Sequence, residues 1–242
     1  MPTQHTIGLV VPFATDEVPF EGPIMYPGVR FIPRGVGVRA LTPEGYEPAW
    51  NGILPAAEYL AKRNVDAIMV IGTSLTFYRG PEAHDSLLEE LRQRTGLPVS
   101  TMSQAIIDGL HEVGAGRVAV ATAYSDVVNR RLKELLAAAD IDALSLECFD
   151  LLEFGGPSKK SEADIIALSD SAVEHAREPE GILISCGGLR TLDVAKPLEA
   201  RHGIPVVSSA TAAFWAAMRL VGESGRVAGY GRLFEQAREP VH

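Results

Sequence analysis

The chain is poor in several things that define other protein classes. Among 242 residues there are two cysteines, Cys148 and Cys186. That is too few for a disulfide-stapled secreted scaffold, and no C-x-x-C pair accompanies them, so a reducing cytoplasm is the expected setting. Positive charge is short: 22 Lys+Arg stand against 31 Asp+Glu, a formal charge of −9. This is the wrong sign for neutralising a phosphate backbone or coating an anionic membrane, so neither nucleic acid nor membrane is an expected partner. Long hydrophobic runs are missing too. The apolar N-terminal stretch Ile7–Val11 stops at Pro12 with no basic segment before it, and no signal peptide is read there. Ala210–Val221 is interrupted by Arg219 and falls far short of the roughly 20 residues of a membrane span.

Motifs for metals and common cofactors are equally scarce. His5, His84, His111, His175, His202 and His242 are scattered, with no H-x-H or H-E-x-x-H spacing; they read as surface histidines, and no metal is expected. Gly35-Val-Gly37 and Gly114-Ala-Gly116 lack the G-x-G-x-x-G frame, and the second precedes a strand, so no dinucleotide site is indicated. There is no G-x-x-x-x-G-K-[ST] and no G-x-S-x-G, which leaves a P-loop and a nucleophile elbow unsupported.

What remains is an ordinary globular composition, 46% apolar and 22% charged, which excludes disorder, collagen-like repeats and coiled coil. The length suits one large domain or two lobes of about 110 to 120 residues. Short β-branched runs at Ile7–Val11, Ala67–Ile71, Val118–Ala121, Gly181–Ser185 and Pro205–Val207 are each followed by a turn and a helical pattern, the alternation of a parallel sheet with helices on its faces. Thr42-Pro43-Glu44, Ser125-Asp126 and Ser161-Glu162 offer caps with an early acid, predicting helices near 43–63, 125–139 and 161–177. Cys148 falls in a strand predicted at Ala143–Phe149 and reads as core packing.

The two halves resemble each other. Ile7–Pro12 matches Val118–Ala123, Asp66–Ser74 matches Glu180–Gly188, and Gly96–Ser100 matches Gly203–Val207, at offsets of 111, 114 and 107 residues. A fold built twice tends to place its working surface where the copies meet. One asymmetry stands against this: Pro12–Pro48 holds seven Pro and five Gly, whereas the second half runs straight into a helix after Tyr124. That segment is read as a long loop covering a site, a plain surface excursion being the other reading.

In open parallel sheets ligands bind beyond the carboxyl ends of the strands. The repeat puts Gly72-Thr73-Ser74 and Cys186-Gly187-Gly188 there, at matching positions. If the halves face each other, both ends point into one cleft, and helix N-termini after the strands add N–H donors for an anion. Such a setting favours thiolate, so Cys186 is expected to have a lowered pKa and to act as acid, base or nucleophile. The bland reading makes it a small buried hydrophobe, and Thr73 and Ser74 plain helix caps. Gly187 and Gly188 permit close approach of a ligand to the backbone.

The segments Gly72–Gly80, Ala121–Tyr124 and Ser185–Leu189, with Leu41–Tyr46, Thr101–Ser103 and Gly229–Phe234, resemble the arylmalonate decarboxylases, within the aspartate/glutamate racemase superfamily, over nearly the whole chain. The resemblance implies an α/β fold of two pseudo-symmetric lobes, each a four-stranded parallel sheet flanked by helices, with the active site in the cleft between them. The lobes are expected at 1–113 plus 212–242 and at 114–211. It further implies Cys186 as the catalytic proton donor and Gly72, Thr73, Ser74, Tyr124 and Gly187 as the cage for a substrate carboxylate. Pro12, Val38, Leu41 and Tyr46 become pocket walls, no cofactor is implied, and the partner is a small dicarboxylate. Superfamily racemases and maleate isomerases place a cysteine on each lobe; here Gly72 stands where the first would be. Racemisation by two bases needs a group on each face of the carbon, whereas decarboxylation needs one proton donor.

Phe13, Arg39 and Phe154–Lys160 depart from the family pattern, and Arg39 reads either as a partner for an extra substrate carboxylate or as an exposed loop cation. The implied function is decarboxylation of a disubstituted malonate through an enediolate protonated by Cys186. The alternatives are an isomerase or racemase of small carboxylates or hydantoins, and a non-catalytic carboxylate-binding protein.

Overall fold

The computed structural model describes residues 5–236; residues 1–4 and 237–242, which include His242 and both outer ends of the first expected lobe, lie outside the described residues. Along the chain come β1 (Thr6–Val11), α1 (Glu21–Met25), β2 (Arg30–Gly35), α2 (Pro43–Ala61), β3 (Ala67–Val70), α3 (Thr73–Phe77), α4 (Pro81–Thr95), β4 (Val99–Thr101) and α5 (Met102–Glu112). The second half holds β5 (Arg117–Thr122), α6 (Asp126–Ala138), β6 (Asp142–Cys148), a 3-10 turn at Pro157–Lys159, α7 (Glu162–His175), β7 (Gly181–Ser185), α8 (Ala195–His202), β8 (Val206–Ser208), α9 (Ser209–Leu220) and α10 (Arg232–Gln236).

Two four-stranded parallel sheets result, ordered β2-β1-β3-β4 and β6-β5-β7-β8. Corresponding strands begin 111, 112, 114 and 107 residues apart, so the repeat read from three segments extends to all four strands. β3 and β7 are buried at every residue and β1 from Ile7 onward, as strands covered by helices on both faces must be, which explains their continuous apolar runs. The expected helices appear as α2, α6 and α7. Thr42 caps α2, accepting from Gly45 N–H at 3.2 Å, and Ser161 forms a capping box with Asp164.

Several expectations are corrected. Pro12–Pro48 is not one loop: it contains α1, the strand β2 and the first turn of α2. Pro33 hid the strand, yet β2 is an edge strand, where a missing N–H donor is tolerated. Ser125 stands at the N-terminus of α6 but its side chain makes no capping bond. Cys148 ends the edge strand β6 and is half-buried rather than in the core. His84 is no surface residue: it is 1% exposed on the inner face of α4, its Nε2 is 2.7 Å from Thr101 Oγ1, and burial lowers its pKa.

The halves are knitted at a seam of two helices. α5 leaves β4 and packs on β7 and β8, α9 leaves β8 and packs on β3 and β4, and the two helices pack on each other. Every residue from Ser209 to Met218 is buried, so the most apolar segment of the chain is a core helix. Among the described residues, no helix is long and apolar enough to cross a membrane.

Candidate active site

Strand order reverses in each sheet beside a central pair, β1 with β3 and β5 with β7, the place where open α/β sheets leave a crevice. After β3 the backbone turns at Gly72 with φ +123°, in the region that favours glycine, and enters α3 at once. A Cβ at Gly72 would lie 3.2 Å from Leu75 Cβ. The turn is held from α5: Ser103 Oγ donates to the Thr73 carbonyl at 2.9 Å and lies 2.6 Å from Thr76 Oγ1. After β7 the chain makes a turn closed by Leu189 N–H to the Cys186 carbonyl at 3.1 Å. The expected helix is absent there, α8 beginning only at Ala195. A Cβ at Gly187 would fall 2.7 Å from Met102 Sδ of α5, so glycine is what lets the Cys186 turn sit against that helix.

A cavity of about 140 Å³ joins these turns. Nine of the ten residues implied from the sequence line it: Pro12, Val38, Leu41, Tyr46, Gly72, Thr73, Ser74, Cys186 and Gly187. Tyr124 does not. It is buried behind the wall beside Cys186, Thr73 and Ser185, with Phe77 packed edge-on at 5.8 Å. Phe13, Pro19, Ile71, Leu75, Phe154, Gly155, Pro157, Ser158 and Gly188 complete the lining, which has no charged side chain among the described residues. Arg39 is exposed and outside it. Lys159 pairs with Glu153 at 2.9 Å and Lys160 sits 4.6 Å from the Phe149 ring centre, neither of them on the wall.

The wall includes the hydroxyl residues Tyr46, Thr73, Ser74 and Ser158 and the thiol of Cys186. The hydroxyls of Tyr46 and Thr73 are buried with no hydrogen bond of good geometry, although Tyr46 approaches Ser74 and Thr73 approaches Tyr124; Ser185, also near Tyr124, lies outside the lining. Leaving such groups unpaired costs free energy, and a site that does so is built for an incoming acceptor. The thiol of Cys186, 5% exposed, is pushed up to about 11 by burial, against the opposing pull of the Gly188 N–H, the Tyr124 hydroxyl and the Leu189 N–H. This reverses the expected lowering, since loss of solvent outweighs the few donors available and no helix follows to supply more. Burial raises Tyr46 and Tyr124 as well. Cys186 is therefore a thiol near neutral pH, suited to giving a proton rather than attacking a carbon.

Phe13 and Pro19 were open to detection, because they follow the central strand β1. The Phe154 stretch stands out in the sequence only as a departure from the family pattern. It reaches the cavity through Leu41 N–H to the Leu152 carbonyl at 2.8 Å and an antiparallel bridge from Ala40 to Glu153, contacts that no local pattern announces. Among the described residues no group of three His, Cys, Asp or Glu side chains could hold a metal ion.

Comparison with known proteins places this geometry in context. The family model for arylmalonate decarboxylase matches residues 7–234. The chain is 41% identical to the arylmalonate decarboxylase of Bordetella bronchiseptica over 96% of its own length and 97% of that protein. It is 27% identical to the maleate isomerase of Nocardia farcinica over 95% of each. A liganded crystal structure of a Gly-to-Cys, Cys-to-Ser double mutant of arylmalonate decarboxylase matches with TM-score 0.94 and 40% identity, over 96% of this chain and all of that one (100%).

Proposed function

The chain belongs to the arylmalonate decarboxylase family, and from that premise we propose that it decarboxylates a disubstituted malonate without a cofactor, using Cys186 as its proton donor. The observation that carries this reading is a thiol that shares with Gly72 a cavity lined by no charged side chain.

One carboxylate of the substrate accepts hydrogen bonds from Thr73, Ser74, Tyr46 and the backbone N–H of Gly187, residues that line the cavity. Tyr124, behind the wall, positions Thr73 and the thiol. The second carboxylate faces proline, leucine, valine and phenylalanine, where no cation balances it; leaving as neutral CO2 relieves that burial. The bond from the central carbon to this carboxylate breaks, and its electron pair moves into an enediolate spread over the carbon and the retained carboxylate. The Cys186 S–H proton then passes to the carbon from one face, and solvent reprotonates the thiolate. Aimed donors substitute for an electron sink, each worth roughly 3 kcal/mol of barrier.

The same lining argues against an amino-acid racemase, because no side-chain carboxylate is present to receive a substrate ammonium. It argues against exchange by two thiols also, since the position equivalent to Cys186 in the first sheet is Gly72 and Cys186 is the one cysteine of the lining. The lobes expected at 1–113 plus 212–242 and at 114–211 would then supply Gly72 and Cys186 respectively.

Purified protein is incubated with 2-methyl-2-phenylmalonate while CO2 release and product handedness are followed. Turnover to one enantiomer, lost in Cys186→Ala, is the expected result. Inactivity across a panel of malonates, or deuterium exchange into a chiral acid with no CO2 released, overturns the reading in favour of binding alone or of an isomerase.

A further inference from the structure

We propose that Phe13 and Phe154 form a size filter at the mouth of the cavity, restricting substrates to malonates whose larger substituent is no bigger than a single aromatic ring. This rests on the decarboxylase reading and deepens it.

The two rings meet edge to face, with centres 6.2 Å apart and planes at 71°. Phe13 follows β1 of the first sheet and Phe154 follows β6 of the second, so the pair spans the two halves. Both side chains line the cavity and both are half-buried, which puts them at the boundary between cavity and solvent. The volume they close off, about 140 Å³, is that of a site holding one benzene ring, about 150 Å³. A single ring already takes up a volume of that order, so a fused bicyclic ring finds no room while the pair is closed.

The filter is held by backbone on each side. The Phe13 carbonyl accepts from Gly37 N–H at 2.9 Å, the Pro12 carbonyl from Val38 N–H at 2.8 Å, and a side chain at Gly35 would strike the Phe13 carbonyl at 2.6 Å. The Phe154 stretch is tied to Leu41 through Leu152 and to Ala40 through Glu153. Pro157, beside it, closes on Gly188, where an added Cβ would lie 3.2 Å from Pro157 Cβ. Rings mounted on anchored backbone yield only by changing rotamer, and close-packed walls discriminate size for that reason.

The test compares wild type with Phe13→Ala and Phe154→Ala, and with Phe154→Leu in case a truncation fails to fold. Two readouts are taken. The first is the ratio of kcat/KM for 2-methyl-2-(2-naphthyl)malonate over 2-methyl-2-phenylmalonate. The second is equilibrium affinity for 2-naphthylacetate against phenylacetate, which requires no chemistry. Both ratios are expected to rise about tenfold or more in the alanine variants. Turnover of the phenyl substrate with both ratios unchanged overturns the filter and leaves the decarboxylase reading intact. No turnover by any form, with the affinity ratio still shifted, overturns the decarboxylase reading and upholds the filter. If neither readout moves and nothing turns over, both fall.

Discussion

Gly72 and Cys186 occupy equivalent points of the two sheets, each on the turn that leaves a central strand, β3 or β7, and both face the same cavity. One position carries a sulfur and the other a hydrogen. Under the proposed mechanism, a planar intermediate meets an acid on one face only, and a single product hand is the expected outcome.

Replacing the hydrogen by a second thiol tests the relationship. Gly72→Cys places a side chain where φ is +123° and where its Cβ sits 3.2 Å from Leu75 Cβ, so a loss of about 1–3 kcal/mol in urea denaturation is expected. In the folded fraction, decarboxylation slows and α-proton exchange on 2-arylpropionates appears, seen as deuterium uptake from D2O. A folded variant with no uptake shows that the cavity does not present both faces of the carbon.

The thiol's raised pKa sets a pH profile. Cys186 must hold its proton to deliver it, and with its pKa pushed up to about 11 the active form persists through the neutral range. kcat/KM should stay level from about pH 7 to 9 and fall only as pH approaches the thiol's own value. Iodoacetamide should label it slowly at pH 7, where about one thiol in ten thousand is ionised. Rapid labelling at neutral pH, or a fall in rate beginning near pH 8, contradicts the assignment.

Thr73 offers a buried hydroxyl on the cavity wall, beside Tyr124. If it holds charge that grows as CO2 leaves, Thr73→Ala lowers kcat by about a hundredfold with a much smaller change in KM, while Thr73→Ser restores most of the rate. A change confined to KM assigns the hydroxyl to ground-state binding instead.

Central strands were legible because a strand covered on both faces is apolar throughout, and the 114-residue offset between Asp66–Ser74 and Glu180–Gly188 brought Gly72 and Cys186 into register before any coordinates. The edge strand β2 was not. β2 carries Pro33 and Gly35 in a half-buried run, and residues at a sheet edge need neither a donor nor a continuous apolar pattern. The acidity of the sulfur is not legible for a related reason: position in a repeat tells which strand end a cysteine occupies, but its burial depends on distant segments, such as Met102 against Gly187 and Pro157 against Gly188. Tyr124 was assigned to the carboxylate cage through resemblance alone, and it lies outside the lining, packed edge-on against Phe77.

Away from the cavity, Glu21 gives the stability of the fold a pH dependence. It lies in the first turn of α1, 3% exposed, and its pKa is raised from 4.5 to about 7 by burial, opposed by its own backbone N–H and by the charge of Arg190. Between those two values the folded chain keeps a proton that the unfolded chain releases, so stability falls as pH rises through that window and stays low above it. The difference in pKa corresponds to about 3 kcal/mol as an upper bound. Glu21→Gln keeps the shape and removes the titration. It should match wild type near pH 4.5 and exceed it by up to about 3 kcal/mol at pH 8, both measured by urea denaturation. An equal gap at the two pH values means the substitution acts through packing, and the carboxyl is then not the source of the dependence.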